Sequence, residues 1–285
     1  MTVVLRTGVP GDAEICGSIC FEAFRAISSE HNFPWDLPSA EIGIELVRGL
    51  LTNPGFHSVV AEVDGKVVGS NFLDERGPIG GIGPITVDPA VQNRGVGRRL
   101  MVALLDRAAE SRLAGVRLLQ SAYHNRSLCL YTDLGFDSRE AASKIDGEPL
   151  GIKFRGYDVR PAEEADLSEC NALCQRVHGH DRSGELRDAV AQGTARIVEH
   201  LGKIIAYATS IAFFGHAVAE TNQGLMALIG AAPAFPGGGF LVPTRNGELF
   251  RWSLRNKLRL VHQMTLMTIA LYNEPEGAYL PSVLY

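Results

Sequence analysis

The sequence carries no excess of positive charge and few cysteines. It has 27 Lys and Arg residues against 32 Asp and Glu residues, for a formal net charge of -5. Nucleic-acid-binding surfaces are usually basic, so we expect no nucleic-acid partner. Four of the five cysteines form pairs spaced four residues apart, Cys16/Cys20 and Cys170/Cys174, and the usual zinc spacings are missing. We expect these cysteines to lie in the core and the protein to hold no metal.

Membrane-spanning and secretory segments are also missing. The first residues lack the layout of a signal peptide, in which a basic region precedes an apolar segment. One apolar stretch, residues 204–219, is shorter than the roughly 20 residues that a spanning helix needs. It also contains Gly215 and His216. We therefore expect a soluble cytoplasmic protein that contacts no membrane.

The first half of the chain alternates predicted strands and helices. The 285 residues, 46% of them hydrophobic, are enough for two domains of about 140 residues. The pattern predicts a mixed α/β sheet flanked by helices, and the Asp-Gly step at Asp64 and Gly65 predicts a hairpin. The predicted strands are residues 3–7, 57–63, 66–73, 82–87 and 116–122. The predicted helices begin after Asp12, run through residues 42–50, begin again near Val96, and cover residues 127–133.

The order of elements restarts near residue 157. Residues 144–156, rich in Gly, Lys and Asp, are the predicted linker. Residues 157–166 repeat the opening scheme of strand, Arg, Pro and acidic helix entrance, and a second hairpin is predicted over 195–208. Because the order of elements repeats and the residues do not, we predict a distant internal duplication with domains at 1–145 and 157–285.

Residues 85–100 predict an anion-binding loop between a strand and a helix. The first amides of a helix have no internal partner and lie at the positive end of its dipole. Gly95 and Gly97 leave room for a phosphate to approach those amides. A flexible surface turn is the alternative. No Gly-Lys-Ser/Thr follows, and Leu100 occupies the position of the third glycine of a dinucleotide motif, so neither of those phosphate sites fits.

Two motifs together resemble the GNAT acetyltransferase superfamily. The first is Gln92-x-x-Gly95-x-Gly97 after a strand, and the second is Asn125 followed by Leu130-Tyr131 and Gly135-Phe136. The resemblance covers residues 1–140 well and the remainder only in outline. It implies a GNAT acyltransferase fold followed by a second GNAT-like domain, with acetyl-CoA as co-substrate.

The resemblance also implies a role for each motif residue. The backbone of Ile85, Thr86 and Val87 would pair with the pantetheine arm, and Asn125 would bond to that arm or to the loop around it. Tyr131 would assist the departing thiolate, or would only pack on the sheet. The pyrophosphate would be held by the amides and side chains of Gln92, Asn93, Arg94, Gly95, Val96, Gly97, Arg98 and Arg99.

The general base and the acceptor pocket stay open. Many relatives use a Glu on the strand before the motif, but residues 82–87 contain no acidic residue and no His. A water relay or one of five side chains would serve instead: Asp74, Glu75, Glu30, His31 or His124. The loop residues His31, Phe33 and Trp35 would either line the acceptor pocket or form a hydrophobic plug.

The implied activity is transfer of an acetyl group from acetyl-CoA to a primary amine of a small molecule or protein, with Tyr131 assisting the thiolate. An acyl-CoA-sensing protein without turnover and a purely structural protein are the alternatives. Because no Gln-x-x-Gly-x-Gly occurs in the second half, we expect that half to have lost cofactor binding and to shape the acceptor side. We expect the tail, residues 279–285, to pack near the first site, and a homodimer stays open.

Overall fold

The computed structural model describes residues 2–284. Within this range, no helix is long and apolar enough to cross a membrane. The first half contains seven strands and four helices. The strands are β1 (Val3–Thr7), β2 (Phe56–Val63), β3 (Lys66–Asp74), β4 (Ile79–Ile82), β5 (Thr86–Val87), β6 (Gly115–Ser121) and β7 (Asp137–Asp146). The helices are α1 (Ala13–Glu30), α2 (Ala40–Thr52), α3 (Val96–Glu110) and α4 (Asn125–Asp133).

The second half repeats this arrangement with mostly shorter elements, although its strand β13 is longer than any strand of the first half. Its strands are β8 (Asp158–Pro161), β9 (Arg196–His200), β10 (Lys203–Ala208), β11 (Ala217–Ala219), β12 (Phe240–Pro243), β13 (Arg259–Ala270) and β14 (Ala278–Leu280). Its helices are α5 (Leu167–His178), α6 (Ser183–Ala191), α7 (Asn222–Ala231) and α8 (Gly247–Arg255).

Helices cover both faces of the first sheet. On one face, α3 buries Leu100 and Leu104 against the strands. On the other face, α1 and α2 enclose an apolar cluster that includes Cys16 and Cys20. The two helices approach closely at Gly17, where an added Cβ would lie 2.3 Å from the Ile44 Cα. A glycine is therefore required there for the helices to pack.

The predicted strand 82–87 is interrupted. A cis peptide joins Gly83 to Pro84 and separates β4 from β5. Strand β4 pairs in parallel with β6, whereas β5 pairs with β3 through Gly69 and Val87. The two neighbouring strands β5 and β6 therefore diverge, and the gap between them contributes to the cavity described below.

The predicted linker 144–156 begins too early. Lys144 belongs to β7, and its side chain is 3% exposed. The sequence of β7 is largely polar and does not indicate a strand. Its partners are the distant strands β12 and β13 rather than its sequence neighbours, so no local pattern predicts the pairing.

Two strands of the second half complete the sheet of the first half. The large sheet has the order β1-β2-β3-β4-β6-β13-β7-β12, and β14-β11-β10-β9-β8 form a separate sheet. Met264 of β13 pairs with Ser121 and with Ala142, and Ala142 also pairs with Pro243. Strand β13 thus lies between β6 and β7, and β7 lies between β13 and β12, so the halves exchange strands. The boundaries 1–145 and 157–285 stay a prediction.

The repeat extends to individual residues, contrary to the expectation that only the element order repeats. Arg6 binds Asp12 at 2.7 Å, and six residues likewise separate Arg160 from Asp166, which it binds at 2.7 Å. Each arginine also pairs with a carboxylate of the following hairpin, Glu62 or Glu199. The four paired cysteines are buried and free, on matching positions of α1 and α5.

Candidate active site

A cavity of about 680 Å³ lies beside the gap between β5 and β6. One end is lined by β5, the loop after it and the start of α3. The other end is lined by α1, α2, the end of β6 and segments of the second half. Tyr131 of α4 is also part of the lining. The cavity therefore connects the predicted phosphate loop with the predicted acceptor side.

Most of the residues predicted to hold the cofactor line this cavity. Gly95 has a φ of 80°, in the left-handed region that favours glycine, and it caps α3. A Cβ on Gly97 would lie 3.8 Å from Leu130 and 3.9 Å from Val87, so a larger side chain would fill the cradle between them. The predicted residues in the lining are Ile85, Thr86, Val87, Gln92, Asn93, Gly95, Val96, Gly97, Arg98 and Tyr131.

The entrance to α3 fits an anion. Within residues 2–284, the amides of Gly95, Val96 and Gly97 donate no hydrogen bond. These free donors lie at the positive end of a helix of 15 residues. The arrangement is what a pyrophosphate needs from this part of the chain.

Positive charge at the loop comes partly from a residue that the sequence reasoning missed. Arg126 lines the cavity and donates to Gln92 Oε1 and Asn93 Oδ1, each at 3.1 Å. Arg98 also lines the cavity and forms an ion pair with Asp133. The position of Arg126 beside Asn125 in the second motif is a signal that could have found it.

Three predicted site residues lie outside the lining: Arg94, Arg99 and Asn125. Arg99 follows Arg98 by one position on α3, so its side chain points elsewhere and donates to the Val3 carbonyl at 3.2 Å. Asn125 is the exposed first residue of α4. Their cofactor-binding roles are not supported by this placement and remain predictions.

Tyr131 lines the cavity and is the candidate for assisting the departing thiolate. Its side chain is buried, with 7% exposure, and its ring contacts Phe136 with centroids 6.0 Å apart. Within the described part of the chain, no residue hydrogen-bonds to its hydroxyl. Burial raises the pKa of Tyr131, so the phenol stays protonated and available as a donor.

Of the five candidate bases, only Glu30 and His124 line the cavity. Asp74 is held by Arg76 at 2.5 Å, and Glu75 is held by Arg107 at 2.8 Å. These two carboxylates are therefore neutralised by structural ion pairs away from the cavity. His31 bonds instead to the Ile27 carbonyl at 3.0 Å.

His124 is poised to accept a proton. Its Nε2 is buried, and no described residue bonds to it. Burial, together with the charges of Arg126 and His31, lowers the pKa of His124 to about 4. The ring is thus neutral near pH 7, and the positive charge of Arg126 disfavours its protonation.

The loop residues predicted for the acceptor pocket do not line it. Phe33 stacks on Tyr123 with centroids 4.4 Å apart, and Trp35 packs its edge near Phe21. These contacts favour the hydrophobic-plug alternative over a pocket lining. The loop contributes its next residues instead, Asp36 and Leu37.

The second half supplies the wall opposite α1. Phe213 and Phe214 come from the loop after β10, and Met264 comes from the exchanged strand β13. Val283 and Leu284 line the same wall, and the Val283 amide donates to the Phe213 carbonyl at 2.9 Å. The tail therefore packs beside the first site, as expected. Tyr285 lies outside the described residues.

A buried charge cluster borders this end of the cavity. Asp36 Oδ1 accepts from Lys144 Nζ at 2.8 Å and from His262 Nε2 at 3.3 Å. Burial alone would raise the pKa of Asp36, but the His262 hydrogen bond and the Lys144 charge hold it below its usual value. Lys144 also lies 4.3 Å from the Phe213 ring centroid. Sequence reasoning missed the cluster because its members are far apart in the chain.

The second half has no equivalent phosphate loop. Only Glu220 and Thr221 separate β11 from α7, whereas residues 88–95 separate β5 from α3. The edge of β11 that faces away from β10 is occupied by β14, which pairs with it from Ala217 with Leu280 to Ala219 with Ala278. In residues 2–284, no group of His, Cys, Asp and Glu could hold a metal ion.

Sequence comparisons relate the first half of the chain to known acetyltransferases. Residues 21–136 match the acetyltransferase (GNAT) family. A mycothiol acetyltransferase from Nocardia farcinica is 41% identical over 63 residues, which is 22% of this chain and 21% of that protein. The chain therefore spans about a fifth of that curated relative.

Solved structures resemble nearly the whole chain. A structure from Pyrococcus horikoshii, titled as an acetyltransferase, superposes with a TM-score of 0.76 at 19% identity, over 96% of this chain and 91% of that one. A tandem GNAT protein from the clavulanic acid pathway gives 0.59 at 14% identity, over 94% and 98%. A GCN5-related N-acetyltransferase from Sphaerobacter thermophilus gives 0.62 at 16% identity, over 95% and 96%. These likenesses show the fold, including that of a tandem arrangement.

Proposed function

We propose that this chain, whose residues 21–136 match the acetyltransferase (GNAT) family, moves an acetyl group from acetyl-CoA to a primary amine of a small molecule or protein. One observation carries the proposal. A single cavity connects the helix entrance at Gly95 and Gly97 with Tyr131 and with a chamber on the far side. A sensor without turnover would need the phosphate loop but not the chamber.

Binding would depend on the loop before α3. The free amides of Gly95, Val96 and Gly97 would donate to the pyrophosphate, with Arg98 and Arg126 beside them. Hydrogen bonds to a charged group contribute roughly 1.5–3 kcal/mol each. The backbone of β5 would pair with the pantetheine arm along the edge that faces β6. The bound thioester supplies an acetyl group already activated for transfer to an amine.

Tyr131 would stabilise the departing sulfur. Reference pKa values are about 10 for a phenol and about 8.5 for a thiol, so complete proton transfer is uphill by roughly 2 kcal/mol before any shift. Burial raises the pKa of Tyr131 and makes that transfer harder still. A hydrogen bond from the phenol to sulfur, strengthening as the C–S bond breaks, is the role that the environment favours.

Proton removal would fall to His124, with Glu30 as the second candidate in the lining. The amine nitrogen forms a bond to the carbonyl carbon while the C–S bond breaks. One proton leaves the nitrogen for His124 Nε2 and passes from there to solvent, and the sulfur takes up a proton from solvent to give the free thiol. A neutral imidazole can accept that proton at pH 7, which an imidazolium could not.

The second half would complete the acceptor side without binding a cofactor. Phe213, Phe214 and Met264 form its wall, and the tail at Val283 and Leu284 closes it. This arrangement supports the predicted division of labour between an active half and a silent half.

Calorimetry with two donors tests the proposal. Acetyl-CoA and acetyl-pantetheine share the thioester, but only acetyl-CoA carries the phosphates that the loop would hold. We expect acetyl-CoA to bind at least a hundredfold more tightly. Equal affinities would refute binding through the loop. Mass-spectrometric detection of acetylated amines tests turnover, and it avoids thiol reagents that would also react with the exposed Cys129.

A further inference from the structure

We infer that the acceptor is a compact amine with an apolar body and a hydrogen-bond donor at its far end, held by Asp36. The inference rests on the proposed function and narrows its acceptor class. Two independent features of the cavity carry it. They are the apolar walls of the acceptor end and a fixed carboxylate oxygen that accepts no hydrogen bond from the described residues.

The walls of the acceptor end are almost wholly apolar. Six large side chains from both halves face the chamber: Phe24, Leu46, Phe213, Phe214, Met264 and Leu284. A peptide backbone placed between them would leave its amides and carbonyls unpaired, which is costly in an apolar environment. A polyamine would bring additional positive charges. Among residues 2–284, the acidic residues in the lining are Glu30 and Asp36, and Asp36 already pairs with Lys144, so few carboxylates are left to balance those charges.

Asp36 is held rigidly and has one oxygen to spare. Oδ1 accepts from both Lys144 and His262, and the Asp36 side chain is 9% exposed. Within the described residues, no donor reaches Oδ2, although Asp36 lines the cavity. A carboxylate oxygen without a partner in the described residues can accept a hydrogen bond from a ligand, and hydrogen bonds to charged groups contribute more than those between neutral groups. The cation of Lys144 balances the charge of Asp36, which favours a neutral donor such as a hydroxyl.

Matched pairs of amines test the inference. The first pair is 2-phenylethylamine and tyramine, and the second is pentylamine and 5-amino-1-pentanol, so each pair differs by one hydroxyl. Spermidine and a lysine-containing peptide represent the classes that the chamber disfavours. We expect kcat/KM for the best hydroxylated amine to exceed that of spermidine and of the peptide at least tenfold. We also expect it to exceed that of its unhydroxylated partner about tenfold.

Asp36 is then removed in two ways. Asp36→Asn should abolish most of the hydroxyl preference while acetyl-CoA affinity stays within twofold. Because this variant leaves Lys144 buried without its partner, Asp36→Asn/Lys144→Met removes both charges and should lose the same preference. Asp146→Asn alters a carboxylate of the same strand as Lys144 that does not line the cavity, and it should leave the preference unchanged.

Two kinetic results would overturn the inference while the proposed function stands. One is a preference for spermidine or the peptide, and the other is a hydroxyl preference that survives in both Asp36 variants. Absence of any heat when the apolar amines are titrated into the CoA-loaded protein would also reject it. Failure of acetyl-CoA itself to bind would instead reject the proposed function, so the two failures are distinguishable.

Discussion

The two side chains to which we assign opposite proton roles, Tyr131 and His124, line one cavity, and burial keeps both of them neutral. Burial raises the pKa of Tyr131 and lowers that of His124 to about 4. A neutral phenol can donate and a neutral imidazole can accept, which is the pairing that acyl transfer to an amine needs. Separated pKa values of two titratable groups commonly mark an acid and a base.

Replacing Tyr131 by Phe should reduce turnover without weakening cofactor binding. General acid assistance is typically worth about 10²–10⁴-fold, so we expect kcat to fall at least tenfold. Steady-state kinetics and calorimetry with acetyl-CoA measure the two effects separately. Tyr157→Phe is the control, because Tyr157 lies in the second half and outside the cavity. Unchanged kcat in Tyr131→Phe would leave the residue a packing role only.

The pH profile tests His124. A lowered pKa means that the proton is lost at lower pH, so the base form is present throughout pH 5.5–8. We therefore expect kcat at saturating substrate to show no inflection near 6.5, the ordinary value for histidine, and to decline only as the pH approaches about 4. An acid limb centred near 6.5 that disappears in His124→Gln would contradict the lowered pKa.

Residues near the two motifs could be predicted, and residues brought together by the fold could not. Tyr131 and the glycines of the loop belong to two short motifs that resemble those of the GNAT superfamily. Asp36, by contrast, gains its meaning from Lys144 and His262, and such contacts over more than 100 residues leave no local pattern. The same holds for Phe213 in the acceptor wall.

Among the elements, the loop between β5 and α3 carries the binding hypothesis. Its conformation requires glycine at position 95, where φ is 80°, whereas position 97 needs glycine for the space that a ligand would occupy. The two glycines therefore serve different purposes, and only the second offers a variant that should fold normally.

Gly97→Val should block acetyl-CoA and leave the fold intact. A Cβ at this position meets only ordinary contacts from Leu130 and Val87, so the valine methyl groups would enter the cavity rather than the core. We expect calorimetry to show at least a hundredfold loss of affinity. Gly49→Val is the matched control, since Gly49 is an exposed helical glycine with nothing within 4 Å of its would-be Cβ. Similar circular dichroism together with unchanged affinity in Gly97→Val would refute the site.

Most predicted elements exist, and the errors have different origins. The hairpin at Asp64 and Gly65 and the helix that begins at Val96 form as their local patterns indicate. The break at Gly83–Pro84 has a local signal that the prediction of strand 82–87 overlooked, because Pro cannot donate to a strand ladder. The inclusion of Lys144 in a strand depends instead on neighbouring strands, which a local pattern does not reveal. Sequence periodicity predicts which residues are buried only when the elements that pack on a segment are its neighbours in the sequence.

At the scale of the whole molecule, the strand exchange makes the two halves one structural unit. Strand β13 lies between β6 and β7, so the first sheet would lack a central strand if the second half were removed. The duplicated Arg6–Asp12 and Arg160–Asp166 pairs show that both halves keep the same entry into their first helix. Their divergence is concentrated at the cofactor cleft.

We expect one acetyl-CoA per chain, bound by the first half. The strand β14 pairs with the edge of β11 that we equate with the proposed pantetheine-binding edge of β5, so the hydrogen-bonding groups of that edge of β11 are already satisfied. The short connection through Glu220 and Thr221 contains no glycine, and a carboxylate at a helix entrance disfavours a phosphate. Native mass spectrometry and calorimetry should both give a stoichiometry of one, and Gly97→Val should abolish it. Two cofactors per chain, or one that persists in Gly97→Val, would show that the second cleft is functional.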